Sequence, residues 1–183
     1  MDLLQRIKRL FWPAPAPSTT FQPQAESTDR RVKERRNPLP GTRMLIVDDS
    51  ATIVALLRRM LRQNEYVTLE AGDAEQGIEL ARSERPDLIF LDIVLPGMNG
   101  FSALRQLRRD PITKDIPIIM ISGNEQATEE FYVHRIGADD FMKKPFARAE
   151  VFARIERLLD KQGVPRRVAA TAAGSEIIEA EQA

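Results

Sequence analysis

The sequence predicts an α/β fold: a doubly wound, five-stranded parallel sheet with helices on both faces. Three observations carry this. Five short apolar runs have the length and near-continuous apolarity of strands covered on both sides: MLIVD (44–48), YVTLEA (66–71), LIFLD (88–92), PIIMIS (117–122) and DFMK (140–143). The intervals between them, and the stretch after the last, carry helical spacing. Strand and helix alternate five times in succession, and right-handed crossovers then yield a parallel sheet.

The first helix places Ile53, Leu57, Met60 and Leu61 on one face, with Asp49 or Ser50 available as its N-cap. The second groups Ala74, Gly77, Ile78 and Ala81, and it starts at Asp73 with Gln76 three residues on, in the manner of a capping box. Phe101, Leu104 and Leu107 mark the third, which must stop before Asp110-Pro111. A fourth is predicted over 126–136, ending at Gly137 as a natural C-cap. Val151, Ile155, Leu158 and Leu159 form the apolar stripe of the fifth.

Length and composition fit one domain with tails. The chain has 183 residues, 43% of them hydrophobic and 30% charged, which is the profile of a globular protein. No apolar run is long enough to span a bilayer, and the mixed charges of MDLLQRIKRLFW do not make a secretory signal. Without a single cysteine, thiol chemistry and Cys-ligated metals are excluded, and a cytoplasmic location is expected. The net charge of zero conceals an asymmetry. Residues 1–41 carry eight Lys/Arg against four Asp/Glu, a balance of +4, and residues 161–183 are neutral, so the segment 42–160 is at −4. An acidic domain of this kind is not expected to bind nucleic acid. Residues 13–41 are rich in Pro, Ser, Thr and charge and read as a flexible linker, and residues 161–183 as a flexible tail. The domain is thus bounded at 42–160.

The polar residues on this scaffold gather at one edge. Asp48 and Asp49 close the first strand, Asp92 the third and Ser122 the fourth, and Lys144 follows the fifth. In the flavodoxin-like order 2-1-3-4-5, strands one and three are neighbours at the switch point, where open α/β sheets bind ligands. Asp48, Asp49 and Asp92 then converge on one cleft. Carboxylates so close raise one another's pKa unless a cation intervenes. Mg²⁺ (or Mn²⁺) suits such a site, since it takes hard oxygen ligands and keeps several waters. A metal, a lysine and a hydroxyl around a carboxylate nucleophile are the equipment of phosphoryl transfer.

The strings MLIVDDS (44–50), LIFLDIVLPGMNGF (88–101), IIMISG (118–123) and GADDFMKKPF (137–146) resemble the receiver domain of two-component response regulators over about 43–160. The layout is similar to that of the single-domain chemotaxis regulator, and LDIVLPGMNGF resembles still more closely the receivers of twitching-motility chemosensory systems. The resemblance implies that Asp92 is the phosphoacceptor. It implies that Asp49, Asp92 and the backbone carbonyl of Val94 ligate the metal directly and Asp48 through water. Lys144 would contact the phosphoryl oxygens, Ser122 would reorient toward the phosphoryl group, and Phe141 would be the switch aromatic that swings inward as Ser122 moves. The Lys144–Pro145 bond is cis in that family. The phosphodonor implied is a sensor histidine kinase. The downstream partner, unknown, would bind the face of the fourth helix, fifth strand and fifth helix around Phe141.

Two positions depart from the chemotaxis pattern. Val94 stands where that regulator has a polar residue and cannot orient a hydrolytic water, a task that falls to Asn124. Phe141 lacks a tyrosine hydroxyl, so packing alone must hold it inward. His134 reads as a surface residue rather than a phosphocarrier, and Arg105, Arg108 and Arg109 as a solvated face of the third helix. Residues 1–12 place Leu3, Ile7, Leu10 and Phe11 on one helical face with Arg6, Lys8 and Arg9 elsewhere, a basic amphipathic helix suited to weak docking on a membrane or partner. That would give a polar or membrane-proximal position.

The chain would catalyse its own phosphorylation and dephosphorylation yet carry no output enzyme, because too few residues follow Leu159. A haloacid-dehalogenase-like phosphatase shares the sheet-end Asp nucleophile but needs a second Asp two residues on. Val94 and Ser50 occupy those places. A phosphate sink that drains a kinase without a target is not separable from an effector-binding switch on sequence grounds.

Overall fold

A computed structural model describes residues 36–123 and 137–167. The elements are β1 (Arg43–Val47), α1 (Ala51–Arg62), β2 (Val67–Ala71), α2 (Ala74–Glu84), β3 (Leu88–Asp92), α3 (Gly100–Arg109), β4 (Ile118–Ser122), β5 (Asp140–Lys143) and a C-terminal helix (Arg148–Arg157). The strands form one parallel sheet in the order β2-β1-β3-β4-β5. This is the predicted topology. The predicted helix at 126–136, His134, the N-terminal helix and most of the linker and tail lie outside the described residues.

Alternation along the strands sorts the core into two layers. Leu45, Val47, Ile89, Leu91, Ile118 and Met120 face α2 and α3, while Met44, Ile46, Leu88, Phe90, Ile119 and Ile121 face α1 and the C-terminal helix. Because β3 and β4 are buried at every position, they show no polar alternation. α1 turns Leu57 and Leu61 inward, α2 turns Ala74, Gly77, Ile78 and Ala81, and α3 turns Ala103, Leu104 and Leu107. The stripe of α2 is as read from spacing; in α1 and α3 Ile53, Met60 and Phe101 are only partly buried against the core, and Ala103 joins it without having been predicted.

Boundaries differ in detail. β1 ends at Val47, so Asp48 and Asp49 follow the strand instead of closing it. Ser50 occupies the N-cap position of α1 with no side-chain cap bond, and its backbone N–H donates to the Asp48 carboxylate. Asp73 caps α2 through the Gln76 N–H, while the Gln76 side chain accepts from Gly72 rather than Asp73. The C-terminal helix stops at Arg157, and Leu159 instead pairs with Pro165 in an antiparallel bridge. The chain assigned to the tail from 161 thus stays on the domain through Arg167. On the other side, Pro38 is buried and the Gly41 N–H donates to the Glu65 carbonyl, so residues 36–41 also pack on the domain.

Arg105 and Arg109 are exposed, as expected of a solvated arginine face, but Arg108 is not. Its side chain is only 9% exposed and donates to the carbonyls of Gly137, Lys114 and Ile116 and to Asp139 at 2.7 Å. Burial lowers its pKa to about 10 against the opposing pull of Asp139. Helical spacing could not reveal this, because the carbonyls it serves lie outside the helix, in the turn that follows it and at Gly137.

Candidate functional site

The parallel sheet brings the carboxyl ends of β1, β3, β4 and β5 together, and each contributes one element of a cleft. Asp48 and Asp92 are 1% and 3% exposed, whereas Asp49 stands in solvent at the rim. One carboxylate oxygen from each of the three lies within 4.8 Å of the others. Oxygens on opposite sides of one Mg²⁺ are about 4.2 Å apart, so the three fit one hard cation with little adjustment.

Lys144 arrives from the far side of β4. Its N–H donates to the Ser122 carbonyl at 2.7 Å, which extends the β4–β5 ladder one step past the strand. Its Nζ then bridges Asp48 Oδ2 at 2.7 Å and Asp92 Oδ2 at 3.0 Å. The Lys144–Pro145 peptide is cis. Asp92 Oδ1 is buried with no hydrogen-bond partner. One oxygen of Asp92 is therefore engaged by the lysine, while the other is buried with no ordinary hydrogen bond and only the pull of the nearby Val94 amide.

The electrostatics agree with that reading. Burial pushes the Asp92 carboxyl up from the usual aspartate value; the Lys144 ammonium and the Val94 amide pull it down, and Asp48 adds to the rise. Burial also works to lower Lys144, but Asp48 and Asp92 together outweigh it and hold the ammonium above the ordinary lysine value. A single cation against three carboxylates leaves the cleft negative, and that is the chemistry of a divalent-ion site.

Ser122 is fully buried at the end of β4. Phe141 is 2% exposed, packed into the core layer that faces α2 and α3. The aromatic expected to swing inward is thus already inside. Val94 is 65% exposed, two residues past Asp92. Asn124 falls outside the described residues. Beside Asp48 and Asp49, a groove of about 350 Å³ runs over Ala51, Val54 and Ala55 to the Arg58–Glu70 ion pair.

Gly100 is a site residue that sequence reasoning missed. Its N–H donates to the Ile93 carbonyl at 2.9 Å, so the first turn of α3 presses on the end of β3. A Cβ there would stand 2.0 Å from the Asp92 carbonyl oxygen. Only glycine permits this approach. The signal was the Asn-Gly pair ahead of a helix, where Asn99 also caps through the Ser102 N–H.

A family model described as the response regulator receiver domain matches residues 44–156. The chain is similar to Protein PilH of Pseudomonas aeruginosa, with 40% identity over 117 residues, 64% of this chain and 97% of that protein. It spans about half the length of other curated relatives, among them transcriptional regulatory proteins. Among solved structures, the chemotaxis protein CheY4 of Vibrio cholerae has a TM-score of 0.61 at 26% identity, covering 65% of this chain and 99% of that one. The receiver domain of the sensor histidine kinase PA1611 from P. aeruginosa, with a magnesium ion in its active-site cleft, has a TM-score of 0.58 at 31% identity, covering 64% and 95%.

Proposed function

Because this chain belongs to the response regulator receiver family, we propose that it is a phosphorylation switch in which Asp92 accepts a phosphoryl group from a sensor histidine kinase. The observation that carries the reading is the buried, unpartnered Asp92 oxygen beside Lys144, Asp48 and Asp49. That oxygen attacks phosphorus, the P–N bond to the donor histidine breaks as the new P–O bond forms, and the imidazole leaves. Lys144, already within reach of Asp92, neutralises charge on the phosphoryl oxygens. Asp49, Asp92 and the Val94 carbonyl, with Asp48 in support, would hold a Mg²⁺ ion, which would add charge neutralisation on the phosphoryl oxygens. Ser122 then bonds the phosphoryl group, and Phe141 fixes the partner-binding face of β5 and the helices that flank it. Hydrolysis by water restores the carboxylate and releases phosphate.

Incubation with acetyl phosphate and Mg²⁺ is expected to label the protein, and Asp92→Asn to abolish the label. Label persisting on that variant would mean the nucleophile is another residue. Lifetime is assigned to Asn124 and Val94: Asn124→Ala should lengthen the phosphorylated half-life and Val94→Asn shorten it, and unchanged decay in both would refute the assignment. The pathway proposed is chemosensory or motility-related, which the similarity to PilH and CheY4 supports. Residues 1–12 are assigned to localisation. With residues 36–41 packed on the domain, a coil of the length of 13–35 would span roughly 24–29 Å, which is ample for docking while the receiver meets its kinase. Deleting 1–35, which spares the residues packed on the domain, should leave phosphorylation kinetics intact and disperse a fluorescent fusion; poor phosphorylation with normal localisation would reverse that assignment.

A further inference from the structure

The residues after the C-terminal helix build a feature outside the family match, which ends at 156. Asp160 organises a tight turn. Its carboxylate accepts the N–H groups of Gln162 and Val164, its own N–H donates to the Val164 carbonyl, and Gly163 takes the left-handed conformation, φ +79°, that the turn needs. The chain then runs back along its own path. Leu159 bridges Pro165, the Arg166 N–H donates to the Leu158 carbonyl at 2.7 Å, and Arg166 Nε pairs with Asp160 at 3.1 Å.

This return delivers Arg167 to the amino end of β5. Its Nε lies 3.5 Å from Asp139 Oδ1, an ion-pair distance, and its guanidinium also donates to the Lys114 carbonyl at 3.3 Å. Asp139 is the hub. Its Oδ2 accepts from Arg108 at 2.7 Å and from the Ile118 N–H at 2.9 Å, and its side chain is 1% exposed. A Cβ at Gly137 would stand 3.4 Å from Arg167 and 3.5 Å from Arg108, so the two arginines flank residues 137–139. Strand β5 starts at the next residue. Phe141 lies two residues past Asp139, and Lys144 five.

We infer that the strap Asp160–Arg167 is a clasp on the switch: by closing Arg167 onto Asp139 it holds β5 in the position that buries Phe141 and presents Lys144 to Asp92. This rests on the proposed receiver reading. A four-residue strand in fixed register with β4 (Asp140 opposite Ile119, Lys143 opposite Ser122) moves as one piece, so its two ends are mechanically joined. Coupling is reciprocal: if the closed clasp favours the phosphoryl-binding arrangement, occupancy of the phosphoryl site must favour the closed clasp.

Reciprocity supplies the test, on the full-length protein. Beryllofluoride with Mg²⁺ serves as the phosphoryl probe, and its bound ¹⁹F resonance reports occupancy. Trypsin cleavage after Arg166 and Arg167, followed by mass spectrometry, reports opening of the strap. With the site filled, cleavage there should slow by about 5-fold or more, the low end of ordinary site-to-site coupling, and in Asp92→Asn the same additions should change nothing. Arg167→Ala should weaken beryllofluoride binding by a similar factor, with Arg167→Lys restoring most of it, while circular dichroism shows both variants folded. A bound ¹⁹F signal with cleavage unchanged, or Arg167→Ala binding the probe as the parent does, would overturn the clasp alone. No bound signal in the parent would instead overturn the receiver reading on which it rests.

Discussion

At the carboxyl end of the sheet, Lys144 stands between Asp48 and Asp92; at the amino end, Asp139 stands between Arg108 and Arg167. Both are buried charge clusters, with the signs exchanged. At the amino end Arg108 spends its remaining donors on three backbone carbonyls, and the buried Arg167 Nε has only the 3.5 Å ion pair to Asp139. At the carboxyl end the surplus is anionic, and Asp92 keeps a buried oxygen that no group of the described residues satisfies. A cluster whose central carboxylate is held by cations and backbone N–H groups stabilises the fold. An unsaturated one stores an electrostatic demand that a cation or a phosphoryl group can meet.

The largest effect that would break this comparison is on stability at the amino end. Arg108→Ala removes the nearest cation from buried Asp139 and leaves the more distant Arg167, and should cost about 3–5 kcal/mol in denaturant unfolding. A loss under about 1 kcal/mol would show that this end is as wet as a surface pair.

Next comes the cation. The unsaturated end should be stabilised by Mg²⁺, by about 2.7 kcal/mol at a hundredfold excess over Kd, read as a rise in the thermal midpoint. Asp49→Ala should remove most of that rise. A midpoint indifferent to Mg²⁺ would mean that the three carboxylates are not a metal site.

Gly100→Ala sharpens the contrast, because its clash with the Asp92 carbonyl falls at the carboxyl end only. It should cost about 1–3 kcal/mol and weaken Mg²⁺ binding in the same protein, as isothermal titration would show. Unimpaired binding would separate Gly100 from the site.

The smallest effect is a control. Arg58–Glu70, at 3.1 Å, is an ion pair with both side chains partly exposed beside the cleft. Arg58→Ala should shift the unfolding free energy by less than about 1 kcal/mol. A larger loss would mean that solvent screening does not distinguish the three pairs.

The sequence by itself determined the five strands, the helices that cover both faces and the four acidic and basic residues of the cleft; the strand order was taken from the flavodoxin-like arrangement and agrees with the sheet. The physical reason is locality. Apolar runs, helical stripes and caps act over a few residues, and the Asp and Lys side chains sit at strand ends, where parallel topology carries them to one edge whatever the loops do. Even the negative surplus was legible, since Asp48, Asp49 and Asp92 outnumber Lys144. What only the tertiary structure decided are contacts between segments with no shared periodicity. Arg108 looks like any solvent-facing arginine of an amphipathic helix until Lys114, Ile116 and Gly137 turn their carbonyls toward it. Residues 160–167 show no apolar repeat because their order comes from one carboxylate gathering backbone N–H groups and from Arg167 finding Asp139. Gly100 looks like an ordinary turn glycine until the Asp92 carbonyl is found where its Cβ would be. Periodicity reports which face of an element is buried; it carries no record of which distant polar group waits there.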